Sequence, residues 1–326
     1  MRIKSFLLIL LLVSHSIYAK TLVVGVTSWI GVAPLSVAEA KGYWKEQGLS
    51  VEIKKYTLYE DLFRDYKNRK VDVLYDMTGT WVDLSLQGVP ITLLAETDWS
   101  NGSDKVIIKQ SLKQINTLKG KEVGIYLNKS SVTFFLHTFL KQHGLSLSDV
   151  KLKELDGEPL AKAFIQNQFP LIVLYDPPAL TASNQGKGYV VADTSDYPGV
   201  MPEGFAIHPD SLNQFGDETL AKFFGGWIKA RQWMAETDDW KTLGAILNKK
   251  TFAGEPAYDS LELIGMLNSI KFHSRSTLLQ RNKDGGGMSI YLQQLTQFLR
   301  ETGKLQKNLN LDTLVNTRAI MMALSR

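Results

Sequence analysis

The side chains able to do chemistry in this sequence are scattered, and their spacing suits capture of a ligand better than catalysis. Five histidines lie at 15, 137, 143, 208 and 273. None forms the His-x-x-x-His pair that would put two imidazoles on one helix face, so no metal site is expected. There is no Gly-x-Ser-x-Gly elbow and no phosphate-binding glycine loop. Lys-Asp-Gly-Gly-Gly at 283–287 lacks a preceding strand and reads as a flexible turn. His143, before Gly144, reads as a helix C-terminal cation, and His137 as a helix-face residue.

What remains are hydroxyls, aromatics and carboxylates placed just after apolar runs or just before helices. Ser28 and Trp29 follow the run 21–26; Thr78, Gly79 and Thr80 follow 71–75; Asp98, Trp99 and Ser100 follow 91–95. Ser130 and Ser131 precede a helix, and Tyr175 and Asp176 end the run 171–175. Backbone N–H groups at a helix start hold anions, whereas aromatic faces and carboxylates suit a planar or amino-bearing molecule. The residue types point both ways, with a lean toward the second. Each position also has a structural reading: Trp29 as core packing, Thr80 as a plain N-cap, the serines as caps alone, and Asp104 as a tie on the glycine turn beside it. No catalytic residue and no cofactor is expected.

The elements that must position these residues alternate. Strands are expected at 21–26, 49–56, 71–75 and 91–95, with helices at 34–40, 58–66 and 81–87 between them. A second series follows, with strands at 106–108, 122–126, 150–155 and 171–175 and helices at 131–143 and 159–167. Strands at 189–192 and 204–207 then lead back. From Asp217 the chain reads as helical, at 219–235, 240–249, 258–269 and 288–302, with no strand in this tail. Such alternation is the pattern of α/β units.

The chain has 326 residues, 44% hydrophobic and 21% charged, which excludes a disordered or collagen-like polymer. Residues 1–19 read as an export signal: Arg2 and Lys4, an apolar run over 6–13, and a polar stretch ending at Ala19. That run is too short to span a bilayer. Removing it takes the formal charge from +4 to +2, because it carries Arg2 and Lys4 and no acid. No basic stripe interleaved with aromatics is present, so nucleic acid is not an expected partner. The chain has no cysteine, hence no disulfide and no lipid-modified cysteine anchor. A soluble periplasmic protein is expected.

Several motifs occur in an order that resembles one family. Leu-Val-Val-Gly-Val-Thr-Ser-Trp-Ile-Gly at 22–31, Ala-Pro at 33–34, Lys-Gly-Tyr-Trp at 41–44 and Gly-Leu-Ser-Val at 48–51 resemble the opening of periplasmic solute-binding proteins of the nitrate, sulfonate and taurine group, which includes binders of thiamine-pyrimidine precursors. Val-Asp at 71–72, Gly-Val-Pro-Ile at 88–91, Ser-Asn-Gly-Ser-Asp at 100–104, Leu-Lys-Gly-Lys at 118–121 and Tyr-Asp-Pro at 175–177 continue the match to about residue 270. Arg69-Lys70 stands where the family has glycine, Asn167-Gln168-Phe169-Pro170 where it has Gly-x-Val-Asp-Ala, and Asp176 where it has Glu.

The resemblance implies an α/β, two-lobed periplasmic binding protein of type 2, each lobe a sheet flanked by helices, joined by two hinge crossings. One lobe would take residues 20–105 and 205–326, the other 106–204. It implies an inter-lobe cleft in which Ser28, Trp29, Thr78, Gly79, Thr80, Asp98, Ser100, Ser130, Ser131, Tyr175 and Asp176 meet a sulfonate, amino or pyrimidine-type compound. The closed form would then be recognised by an ABC permease or, alternatively, by a membrane receptor or signalling enzyme. A pyrimidine synthase of this fold would be similar to a yeast-type enzyme with a cysteine-rich motif, which a cysteine-free chain cannot supply.

Overall fold

The computed structural model describes residues 20–305, 309 and 311–326. The expected export signal at 1–19 lies outside the described residues. Strand β1 (Leu22–Thr27) leads through helix α1 (Ala33–Lys41) to β2 (Val51–Tyr56), and α2 (Tyr59–Lys67) leads to β3 (Val73–Met77). Helix α3 (Thr78–Leu86) then connects to the long strand β4 (Thr92–Ser100), and the chain crosses to β5 (Asp104–Lys109). A second series follows: β6 (Glu122–Ile125), α4 (Ser130–Gln142), β7 (Lys151–Glu154), α5 (Gly157–Ile165), β8 (Leu171–Tyr175), α6 (Pro178–Gln185) and β9 (Gly188–Asp193). The chain crosses back into β10 (Pro202–Ile207).

Two sheets result. The first has the order β11-β4-β10-β3-β1-β2 and the second β7-β6-β8-β5-β9. Strand β1 runs parallel to β2 and β3, while β10 is antiparallel to both β3 and β4. The start of β10 therefore lies beside the carboxyl ends of β3 and β4, with Glu203 opposite Met77 and Asp98. In the second sheet β6 runs parallel to β7 and β8, and β5 runs against β8 with Asp104 opposite Tyr175. Both sheets thus turn the same kind of edge, strand carboxyl ends plus the start of a returning strand, toward the two crossings. That is where a two-lobed α/β protein presents polar side chains.

The tail is α7 (Pro209–Glu236), α8 (Trp240–Ile246), α9 (Ser260–Asn268), β11 (Ile270–Phe272), α10 (Arg275–Asn282), α11 (Gly287–Glu301), α12 (Leu311–Leu314) and α13 (Arg318–Ser325). The expectation of a strand-free tail is corrected by β11, which pairs antiparallel with the end of β4. Three residues are too few to show a period of two. Helix α7 begins ten residues before the expected 219 because it is two helices meeting at a kink, where Gly216 takes φ 71°. Beneath the first sheet, Phe205 meets the rings of Tyr75, Phe223, Phe224 and Trp227 at 5.1–6.3 Å, so α7 is held by buried aromatics. Arg69 and Asn167, two of the positions where the family resemblance expects glycine, both take φ 63°, just after α2 and α5. The turn geometry is kept without the glycine, as asparagine tolerates well and arginine less so.

Candidate functional site

At the cleft end of the first sheet five side chains converge. The Tyr75 hydroxyl lies 3.0 Å from both carboxylate oxygens of Asp98 and 2.9 Å from Oε2 of Glu203. Trp29 donates its indole N–H to the same Glu203 oxygen at 2.7 Å, and Thr97 donates to Asp98 at 2.8 Å. Asp98 is 0% exposed and Glu203 5%. Burial pushes the carboxyl groups of both upward from their ordinary range; the Asp98 charge raises Glu203 further, whereas hydrogen bonding from Thr97, Tyr75 and Glu203 offsets part of the rise at Asp98. Gly31 makes this convergence possible, since a Cβ there would stand 2.1 Å from the Tyr75 hydroxyl oxygen.

Asp76, next along β3, is 7% exposed. Its Oδ1 accepts from the Met77 amide at 2.6 Å while Oδ2 has no hydrogen-bond partner. Burial lifts its pKa to about 6. Tyr59, at the start of α2, stands beside Asp76 and Thr27, and within electrostatic reach of Tyr126 in the other lobe.

The N-termini of α3 and α4 meet across the cleft. The Gly79 amide donates to Ser131 Oγ at 3.1 Å, and Asp83 of α3 receives the Ser130 amide at 2.8 Å and the Ser130 hydroxyl. The start of α4, where an anionic ligand was a natural expectation, is therefore taken by a carboxylate of this chain. Thr78 and Thr80 lie inside the first turn of α3, which begins at Thr78 with Met77 as its N-cap, so the reading of Thr80 as N-cap is corrected. Thr80 Oγ1 is buried with no partner. Asp83→Ala is expected to weaken this inter-lobe contact by about 1–2 kcal/mol, the usual cost of a lost N-cap carboxylate at a helix dipole. A cleft-directed change of that kind shows as faster hydrogen exchange at the α4 N-terminus, with the core strands unchanged.

In the second lobe Tyr126 donates to Asp104 at 2.6 Å and packs edge to face on Tyr175, ring centres 4.9 Å apart. Asp176 accepts from Lys105 at 2.5 Å, leaving its Oδ1 buried and without a partner. Ser100 is buried at the first crossing, donating to Asp104 at 2.6 Å and bridging to Thr194 at 2.7 Å; Gly102 N–H also reaches Thr194 at 2.8 Å. The two crossings are tied together by these hydroxyls. Ser28 is exposed and donates to Glu255 of the tail.

Of the residues singled out in the sequence, the structure brings Trp29 and Asp98 into one cluster and Gly79, Ser130 and Ser131 into another. Tyr175 and Asp176 lie on the opposing lobe, while Ser100 is engaged in the hinge and Ser28 with the tail. Sequence reasoning missed Tyr59, Tyr75, Asp83, Tyr126 and Glu203. Glu203 had one usable signal, a carboxylate at the second crossing that mirrors the acids of the first.

Behind this edge, Glu96 is 0% exposed and receives Arg281 through both Nε at 2.6 Å and Nη2 at 2.8 Å, plus His273 Nε2 at 2.9 Å. Burial lowers the His273 pKa, so the neutral ring donates its Nε2 proton to Glu96. Arg281 also lies over the ring of Trp99, 5.3 Å from its centre. This cluster pins α10 of the tail onto β4. A groove of about 700 Å³ lined by Thr92, Lys283, Met288 and Arg318 lies on the tail and shares none of the clusters above. Among the described residues, no group of three or more histidines and acids is arranged to hold a metal ion, and no helix is long and apolar enough to cross a membrane.

Known proteins agree with this architecture. The protein YtlA of Bacillus subtilis (strain 168), named provisionally as a binding protein, is 25% identical over 222 residues, covering 66% of each chain. The chain therefore matches slightly less than two thirds of that relative's length. A ligand-binding component of an ABC-type import system from Staphylococcus aureus, solved with zinc bound, superposes with a TM-score of 0.71 at 13% identity, covering 94% of this chain and 99% of the other. The periplasmic aliphatic sulphonate-binding protein SsuA of Escherichia coli superposes with a TM-score of 0.69 at 15% identity, covering 91% and 97%. These likenesses give the fold, an α/β two-lobed periplasmic-binding-protein architecture. The family description "NMT1/THI5 like" matches residues 29–239, about two thirds of the sequence, and the chain belongs to that family.

Proposed function

We propose that this protein is the solute-binding component of an ABC-type importer, capturing a small organic molecule between its two lobes and presenting the closed form to a membrane permease. The observation that carries the reading is the meeting of the α3 and α4 N-termini across the cleft, Gly79 N–H to Ser131 Oγ, at the polar edges of two sheets joined by two crossings. Two lobes that touch at that edge and are tied at Ser100, Asp104 and Thr194 form a hinge with a closing face. The names of YtlA, SsuA and the Staphylococcus protein support the same reading. The lobes are taken as 20–105 with 205–326, and 106–204. Residues 1–19 are proposed as an export signal, with the mature protein working in the periplasm.

The residues proposed to face the ligand are Trp29, Thr78, Gly79, Thr80, Asp98, Ser131, Tyr175 and Asp176. To them the structure adds Tyr59, Asp76, Tyr126 and Glu203 as candidates. Ser28, Ser100 and Ser130 have protein partners and are assigned to the rim, the hinge and the inter-lobe contact.

A thermal-shift screen of the exported protein against sulfonates, amino compounds and pyrimidines tests the reading. A ligand present at 100 times its dissociation constant stabilises a folded protein by about 2.7 kcal/mol when it binds only that form. A raised melting temperature, and faster ATP hydrolysis by a reconstituted permease only when ligand and protein are both present, is the expected outcome. Chemical turnover of a compound in the same screen, with no thermal shift from any, would contradict it.

A further inference from the structure

The cleft edge of the first sheet gathers more negative charge than its protein partners neutralise. Asp98, Glu203 and Asp76 are each more than nine-tenths buried, and Glu203 feels the charges of the other two. Their hydrogen-bond donors are Tyr75, Trp29, Thr97 and the Met77 amide, with the Tyr59 hydroxyl beside Asp76, all neutral. Arg281 and His273 spend their donors on Glu96, and Lys105 spends its charge on Asp176. The Tyr75 hydroxyl has one proton, yet stands at hydrogen-bonding distance from two carboxyl groups. It donates to one, and the other must supply a proton of its own to complete the contact.

Two further features point to what the site is built for. Oδ2 of Asp76 makes no hydrogen bond although the residue is almost wholly buried, and Thr80 Oγ1, in the first turn of α3, makes none either. Beside Asp76 stands a set of tyrosines from both lobes: Tyr59, which interacts with Asp76 and Glu203 and reaches Tyr126, and Tyr126, which packs on Tyr175. Aromatic rings with carboxylates behind them bind a cation through the ring faces and the full charges together. The anion-favouring place, the N-terminus of α4, is already filled by Asp83.

We infer that the cleft selects an organic cation, a small molecule bearing one protonated or quaternary nitrogen, seated among Tyr59, Tyr126 and Tyr175 with its charge directed at Asp76, Asp98 and Glu203. The inference rests on the solute-binding reading and narrows it. On binding, the cation takes the place of the proton shared by Asp98 and Glu203, which leaves to solvent. Besides those two, the titratable or charged groups around them are Asp76 and Tyr75 of β3, Tyr59 of α2 and Glu96 of β4, the last held by Arg281 and His273. Protons compete with the cation, so retention rises with pH through about 6 and about 7, where Asp76 and Asp98 lose their protons, and continues to rise as Glu203, whose carboxyl burial also pushes up, loses its own.

The test uses the full chain and, as probe, the dialysable small-molecule fraction of a bacterial extract. Protein is incubated with the fraction, passed through gel filtration and denatured, and the released compounds are identified by mass spectrometry. The same is done with Asp98→Asn/Glu203→Gln and, in case that pair fails to fold, with Asp76→Asn, whose Oδ2 has no hydrogen bond to lose. Compounds with a basic or quaternary nitrogen, enriched on the parent and at least about tenfold depleted on a folded variant, are the expected result. Enrichment of sulfonates or carboxylates, or cations held equally by parent and variant, would overturn the inference and leave the solute-binding reading standing. No retained compound at all, from protein that melts cooperatively, would overturn that reading with it.

Discussion

Gly79→Ala is expected to hold the two lobes apart. A Cβ at this position would stand 2.4 Å from Ser131 Oγ and 2.7 Å from the Ser131 backbone nitrogen. A hydroxyl can rotate away, but a backbone nitrogen at the start of a packed helix cannot. The clash exists only where α3 and α4 meet, so the cost falls on the closed form and not on either lobe. Overpacking of a methyl group against fixed atoms costs about 1–3 kcal/mol. If closure is what captures the ligand, affinity falls by a factor of about 5 to 150, with the melting temperature of the unliganded protein nearly unchanged. Small-angle scattering is the direct check: the variant should have a larger radius of gyration than the parent. An unchanged radius and unchanged affinity would mean that α3 and α4 do not form the closing face.

The second large effect concerns stability. Arg281→Met removes the only full positive charge that the structure places on Glu96 among the described residues, leaving a 0% exposed carboxylate with the neutral His273 ring. Breaking a buried ion pair by deleting one partner typically costs about 3–5 kcal/mol. The double change Glu96→Gln/Arg281→Met should recover a large part of that loss, because the stranded charge is gone while the His273 proton still has an acceptor. Denaturant unfolding of the two single variants and the double variant measures the coupling directly. Losses that simply add would mean that Arg281 stabilises through packing on Trp99 and not through Glu96.

The two clusters differ in a way that separates structure from function. Glu96 sits beside a guanidinium and an imidazole and is fully partnered. Asp98, two residues further on the same strand, shares a phenol with another acid and meets no cation among the described residues. Both are equally buried, so burial alone does not distinguish them. The organic cation inferred above would supply to Asp98 what Arg281 supplies to Glu96.

Much of this was legible in the sequence. Alternating strand and helix signals around Trp29, Thr78 and Asp98 placed them after strands, and the carboxyl end of a strand is where α/β proteins present polar groups. The ordered motifs from 22 to 177 gave the two-lobed family architecture. What stayed hidden depends on pairing across long stretches of chain. Glu203 reaches Asp98 only because β10 runs antiparallel between β3 and β4, and no local pattern encodes that register. Asp83 looks like an ordinary exposed-face acid of α3 until α4 is docked against it. Strand β11 is three residues long, and the two halves of α7 are joined at a left-handed glycine that reads as a helix stop.

A small molecule bound between the lobes is expected to draw them together. The chain contains no cysteine, so Leu58→Cys and Glu158→Cys provide unique sites for spin labels. Leu58 is 56% exposed at the start of α2 beside Tyr59, and Glu158 is exposed on α5 of the other lobe, within electrostatic reach of Tyr175 in that same lobe. Distance distributions between the two labels are to be recorded before and after adding the dialysable small-molecule fraction. A shorter and narrower distribution, abolished by Gly79→Ala, is the predicted result; an unchanged distribution while the protein demonstrably retains a small molecule would contradict it.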